Sequence, residues 1–241
     1  MHLWLNLLLL LVTLAGGALP LLIRPLADRE MNGLLAFSGA FLLGITLLHL
    51  APESFGEVGS RAGLYMLVGF FLQLAIQRIT HGAEHGHTHL QHSGHIVPAA
   101  SILAGLSVHA AMEGLPLGFH YRQGSTEPAL YLAVAAHKLP EAMLAASLAA
   151  SAWGKQRAWI ALLCFSLVTP LAGSLATVLG IRYNAMAQLV SAVIPIVAGA
   201  FLHIATTIFY ESGTRQHHLT FRKILAILVG LGAALATLAF E

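Results

Sequence analysis

Charge is scarce in this chain. Aspartate, glutamate, lysine and arginine make up 9% of its 241 residues against 57% hydrophobic residues, and the mean hydropathy is +0.78. A soluble domain needs about a quarter of its residues charged to cover its surface. The balance therefore excludes one or two soluble domains and leaves a polytopic membrane protein. The formal net charge is only +2 and the basic residues form no dense patch, which excludes nucleic acid as a partner. Cysteine is almost missing. Cys164 is the single one, in an apolar run, so neither an internal disulfide nor a thiolate metal cluster is expected, and the compartment stays open. Nothing resembles G-x-x-x-x-G-K-[ST], so no ATP hydrolysis is expected of the chain itself. The first apolar run, from Leu3, lacks a basic segment before it and a small-residue cleavage site before Arg24, which predicts a retained helix rather than a signal peptide.

Long apolar runs are what the chain has instead. A bilayer-spanning helix needs about 20 mostly apolar residues. Eight segments qualify: 3–23, 32–53, 62–80, 97–120, 128–152, 157–180, 184–210 and 221–240. The expected fold is all-α, with eight transmembrane helices in one membrane domain over residues 1–241. Connections are short except for residues 81–95. With the N-terminus outside, the inner loops hold Arg24, Arg29, Arg78, Lys155, Arg157, Arg215, Arg222 and Lys223, and the outer loops only Arg61, Arg122 and Arg182. Basic residues favour the cytoplasmic side, so both termini are expected outside. Segment two carries Gly39-Ala40-Phe41-Leu42 and ends at Glu53-Ser54; segment seven carries Gly199-Ala200-Phe201-Leu202 and ends at Glu211-Ser212. The two cross in opposite senses, as a 3+2+3 inverted repeat requires, with segments four and five between the halves.

Those two central segments hold the chemistry. Each has a histidine followed four residues later by a glutamate: His109-Ala-Ala-Met-Glu113-Gly114 and His137-Lys138-Leu-Pro140-Glu141. Four residues is just over one helical turn, so each pair projects from one helix face. Facing each other, two imidazoles and two carboxylates suit a divalent transition metal. Ionisable groups at membrane depth are costly and point to function, although any one of them alone reads equally as a hydrogen-bonded packing residue. Lys138 is placed to neutralise Glu141 three positions away, and its ammonium would repel a second divalent ion, which suggests one metal rather than two. Pro116 and Pro140 are expected to loosen the backbone beside the cluster.

Other polar positions extend the pattern. His49 and Glu53 share a face near the outer end of segment two, and His120 continues the polar stripe of segment four; together they make a candidate entrance. His203 and Glu211, eight apart on segment seven, make a candidate exit. The loop 81–95 contains His81, His85, His87, His89, His92 and His95 among glycines. It reads as a flexible cytoplasmic segment that binds zinc-like ions loosely and is not required for transport.

The paired motifs of segments four and five resemble those of the ZIP (Zrt/Irt-like) family of divalent metal transporters. So do the eight-segment layout, the histidine-rich third loop, Gly39-Ala40-Phe41 followed by His49-x-x-Pro52-Glu53, and Thr169-Pro170-Leu171. The resemblance implies import of Zn2+ or a similar ion (Cd2+, Fe2+, Mn2+) into the cytoplasm through helices two, four, five and seven, without an organic cofactor. It implies that His109, Glu113, His137 and Glu141 match the family's primary site. Members with two metals place further ligands where this chain has Ala110 and Lys138, which puts a second site in doubt. Phe41 stands where some members offer a sulfur ligand.

An importer in the plasma membrane (the inner membrane of a bacterium) is the expectation, with the metal ion and the lipid bilayer as partners and a homodimer allowed. Two alternatives stay open from the residues alone. An intramembrane zinc hydrolase would use the same ligands around a metal-activated water, but no acid/base group outside them is evident and H-E-x-x-H is missing. An exporter would need the same site, since the residues do not fix direction.

Overall fold

The structure, a computed structural model, describes residues 3–24, 26–80, 91–92, 95–96, 98–118, 126–182, 186–211 and 220–240. Among these the chain forms eight long helices. They are α1 (Leu3–Leu22), α2, α3 (Arg61–Thr80), α4 (Ala99–Leu117), α5 (Thr126–Trp153), α6 (Lys155–Arg182), α7 (Met186–Glu211) and α8 (Phe221–Thr237). Helix α2 is composite: Asp28–Ile45, a π-helical turn over Thr46–Leu50, then Ala51–Val58. A 3₁₀ turn at Leu238–Phe240 follows α8. Within the histidine-rich segment, Gln91–His92 (β1) pairs antiparallel with His95–Ile96 (β2), regular structure that composition did not suggest.

Five stretches of the described residues are long and apolar enough to cross a membrane: Trp4–Leu22, Arg29–Val58, Ala99–Leu117, Lys155–Leu179 and Ala192–Phe209. Two of the remaining helices fall short for identifiable reasons. His137, Lys138 and Glu141 dilute α5. Helix α8 has only 17 residues. Outward faces are apolar. On α6, Ile160, Leu163, Leu167, Leu171 and Leu175 are exposed at helical spacing while Ser166, Thr169 and Thr177 are buried. This reverses the pattern of a soluble helix and fits a lipid surround.

The helices pack in close pairs: α3 with α7, α2 with α8, α1 with α5, and α4 with α6. Small residues allow it. A Cβ on Gly69 of α3 would lie 1.7 Å from the carbonyl oxygen of Ile196 on α7, and one on Gly199 1.8 Å from that of Met66. Between α4 and α6, a Cβ on Gly114 would lie 2.4 Å from the Thr169 carbonyl oxygen. Two threonines of α6 also donate to α4 carbonyls: Thr169 Oγ1 to Ala110 at 3.0 Å and Thr177 Oγ1 to Gly118 at 2.9 Å. Gly154, at φ 81°, lets α5 turn into α6 through a single residue.

Two apolar clusters fill the bundle. One gathers Leu35, Phe41, Leu42, Leu117, Leu130, Val134, Val197 and Phe201 among others. The second gathers Ile102, Leu106, Ala110, Ala142, Ala145, Ala149 and Leu162. On both α4 and α5 the change from one cluster to the other falls at the His/Glu pairs.

Two expectations are corrected. Helix α2 runs over 28–58 rather than 32–53. At its start the Glu30 carboxylate accepts the Ala27 N–H at 3.0 Å, so the charged Asp28-Arg29-Glu30 begin the helix instead of preceding it. Backbone irregularity was expected beside Pro116 and Pro140; α5 stays α-helical through Pro140, while α4 ends one residue beyond Pro116, where Gly118 N–H turns back to the Leu115 carbonyl. A wider turn that was not expected lies before Pro52, where Ala51 N–H reaches back five residues to the Thr46 carbonyl. A proline ring clashes with the carbonyl one turn earlier, and a wider turn relieves the clash.

Candidate metal centre

The structure brings His109, Glu113, His137 and Glu141 together. One ligand atom from each can be chosen so that all lie within 4.8 Å of one another. His109 and Glu113 come from one face of α4, His137 and Glu141 from one face of α5. His109 Nε2 is 3.3 Å from Glu113 Oε1 and 3.9 Å from Glu141 Oε1, and His137 Nε2 is 3.8 Å from Glu113 Oε1. The imidazole rings are nearly perpendicular, at 88°, with centroids 5.9 Å apart. A tetrahedral zinc ion with ligands at about 2.0–2.1 Å needs ligand atoms on the order of 3.4 Å apart. The measured separations bracket that value.

All four side chains are buried, at 0–1% exposure. Buried polar groups are normally satisfied, yet His109 Nε2, both ring nitrogens of His137, Glu113 Oε1 and Glu141 Oε1 have no hydrogen-bond partner among the described residues. One nitrogen of His137 together with the other three atoms would supply a cation with four ligands. The donor set, two nitrogens and two carboxylate oxygens, suits zinc and its neighbours better than magnesium or calcium.

Lys138 completes the electrostatics. Its ammonium contacts carboxylate oxygens of both Glu113 and Glu141, and it stands 5.4 Å from the centroid of the Phe165 ring on α6. Two carboxylates and one ammonium leave a single net negative charge, which a divalent ion overcompensates by one.

One residue that sequence reasoning missed is Gln73 of α3. It is fully buried, and its Oε1 lies 3.3 Å from His109 Nδ1. An amide oxygen only accepts, so Nδ1 carries a proton in this bond, and in the neutral imidazole Nε2, on the cluster side, is the nitrogen left free to bind a metal. Four residues on, Gln77 Oε1 accepts from His203 Nε2 at 2.7 Å. The available signal was two glutamines at helical spacing in an otherwise apolar run.

The outlying positions separate. His49 sits on the π-helical turn, buried, its Nε2 2.8 Å from Thr237 Oγ1 on α8. The Thr237 hydroxyl donates to the Ala234 carbonyl at 2.6 Å, so its oxygen accepts from His49. Glu53 is half-buried in the segment after that turn. His203 packs edge-on against Phe70, centroids 4.8 Å apart. His81, His85, His87, His89 and His120 lie outside the described residues. So do the side chains of His92, His95 and Glu211. Phe41 packs against Phe37 within the core and offers no ligand atom.

A buried pair of imidazoles facing a buried pair of carboxylates, among helices apolar on their outer faces, fits an integral membrane protein that handles a divalent cation. The chain belongs to the ZIP zinc transporter family, whose model matches residues 81–238, more than half of its length. A search of curated proteins finds no match. The chain is therefore a membrane protein of a family that transports divalent metal ions and is not enzymatic.

Proposed function

We propose that this protein carries Zn2+, or a similar divalent transition metal, into the cytoplasm through His109, Glu113, His137 and Glu141, one ion at a time. The observation that carries the single-ion reading is the position of Lys138, whose ammonium reaches both carboxylates. It supplies the positive charge that a second metal would otherwise bring, and two like charges at that separation repel strongly in a low dielectric.

In this reading all eight helices cross the membrane as one transporter domain, with both termini outside. The excess of lysine and arginine on the inner loops supports the orientation. Helix packing supports the 3+2+3 repeat: α3 lies on α7 as α8 lies on α2, and α1 on α5 as α6 on α4. Exchanging the halves exchanges these pairs. Gly69 of α3 abuts the Ile196 carbonyl, and Gly230 of α8 abuts that of Phe37. His49, Glu53 and His120 form the approach from outside, and His203 with Glu211 the departure toward the cytoplasm. The six histidines of 81–95 receive the metal there, and the plasma membrane is the location.

Purified protein in liposomes tests the reading. A zinc gradient is expected to drive uptake that His109→Ala or Glu141→Ala abolishes, with one zinc bound per chain by elemental analysis. Peptide or lipid turnover without zinc flux would overturn it in favour of a hydrolase. Flux confined to the outward direction in oriented vesicles would overturn the direction.

A further inference from the structure

The geometry points to Gln73 as the positioning residue of the metal site: its amide oxygen holds His109 in the Nδ1–H form, so that Nε2 meets the ion. This rests on the reading of His109 as a ligand. Three observations carry it. Gln73 Oε1 lies 3.3 Å from His109 Nδ1, with both side chains buried. His109 Nε2 points the other way, toward Glu113 and Glu141. Gln73 Nε2 has no hydrogen-bond partner among the described residues. An orphaned buried donor is a liability for stability, one that an apolar side chain of similar size would remove. Packing alone therefore gives no reason for glutamine here, whereas the accepted Nδ1–H does. A neutral imidazole has one N–H, and fixing it on Nδ1 leaves the other nitrogen ready to bind metal without a change of tautomer.

Helix α3 is a suitable platform for this. It carries none of the four ligands, and it is seated on α7 through Gly69 and Gly199, where no methyl group fits. The same face of α3 repeats the device one turn later, where Gln77 accepts from His203. There the proton sits on Nε2, so the two glutamines fix opposite nitrogens of their histidines.

The test is titration of the full-length protein in detergent with Co2+, a spectroscopic stand-in for zinc, comparing wild type with Gln73→Met, Gln73→Leu, Gln73→Glu and His109→Ala. The two acceptor-free variants are expected to bind about 10–100-fold more weakly and to change the visible spectrum of bound Co2+. Gln73→Glu keeps an acceptor oxygen and is expected to restore both affinity and spectrum. Wild-type affinity and spectrum in either acceptor-free variant would overturn the inference, as would a glutamate variant no better than methionine. If His109→Ala is impaired while Gln73→Met is not, only the role of Gln73 falls. If His109→Ala binds like wild type, the reading of the site falls and this inference with it.

Discussion

Lys138 on α5 is ion-paired with Glu113 on α4, so the ammonium closes the gap between the two helices that carry the candidate ligands. The same ammonium also bonds Glu141 on its own helix. Removing it leaves two buried carboxylates facing each other with no counter-charge. Breaking a buried pair of this kind costs about 3–5 kcal/mol. Lys138→Met is therefore expected to lower the unfolding temperature of chelator-treated protein and to recover most of the loss when zinc is added. Its zinc content per chain should rise above that of wild type. Equal unfolding temperatures with chelator would show that Lys138 is not the internal counter-ion.

Protons compete with the metal for these ligands, since binding needs an unprotonated imidazole nitrogen and an ionised carboxylate. The sign follows directly: lower pH weakens binding. Zinc affinity is expected to fall as pH is lowered from neutrality, because each proton taken up by an imidazole or a carboxylate removes a ligand. An affinity independent of pH, measured by competition with a chelator of known pH dependence, would count against ligation by these ionisable groups.

The contact between α3 and α7 is sensitive to a single carbon. Gly69→Ala drives a methyl into the Ile196 carbonyl and is expected to cost about 1–3 kcal/mol or more. Gly33→Ala is the control. It lies in α2 with nothing within 4 Å of the added carbon, and alanine there should be neutral or stabilising by up to about 1 kcal/mol. Thermal unfolding of both variants in detergent checks the pair. A Gly69→Ala protein as stable as wild type would mean that the two helices separate easily.

The histidines of 81–95 are expected to tune transport and not to perform it. Replacing His81, His85, His87, His89, His92 and His95 by serine should change apparent affinity or regulation in a liposome flux assay while zinc still crosses. Complete loss of flux would place the loop on the obligatory path.

The sequence was most informative where function rests on one helix at a time. A histidine and a glutamate four apart share a face whatever surrounds them, so the two pairs of α4 and α5 could be read directly. Their depth in the membrane followed from the flanking apolar runs. Gln73 was not legible. Its partner His109 is 36 positions away, and what brings them together is the seating of α3 against its neighbours, which no local pattern encodes. The π-helical turn was missed for a related reason. Pro116, Pro140 and Pro52 look alike as letters, but α5 stays α-helical through Pro140, α4 ends one residue after Pro116, and α2 widens before Pro52.

The two apolar clusters that bracket the His/Glu pairs have a consequence for selectivity. With the four side chains at most 1% exposed, an ion cannot reach them inside its hydration shell. It must shed water first, and the ligands must make good the loss. Magnesium releases water reluctantly and favours six oxygens in an octahedron, which two imidazoles and two carboxylates do not provide. Zinc accepts four ligands and takes nitrogen readily. On the proposed reading of the site, the leucines and alanines that flank the cluster would, by enforcing dehydration, discriminate between cations they never touch.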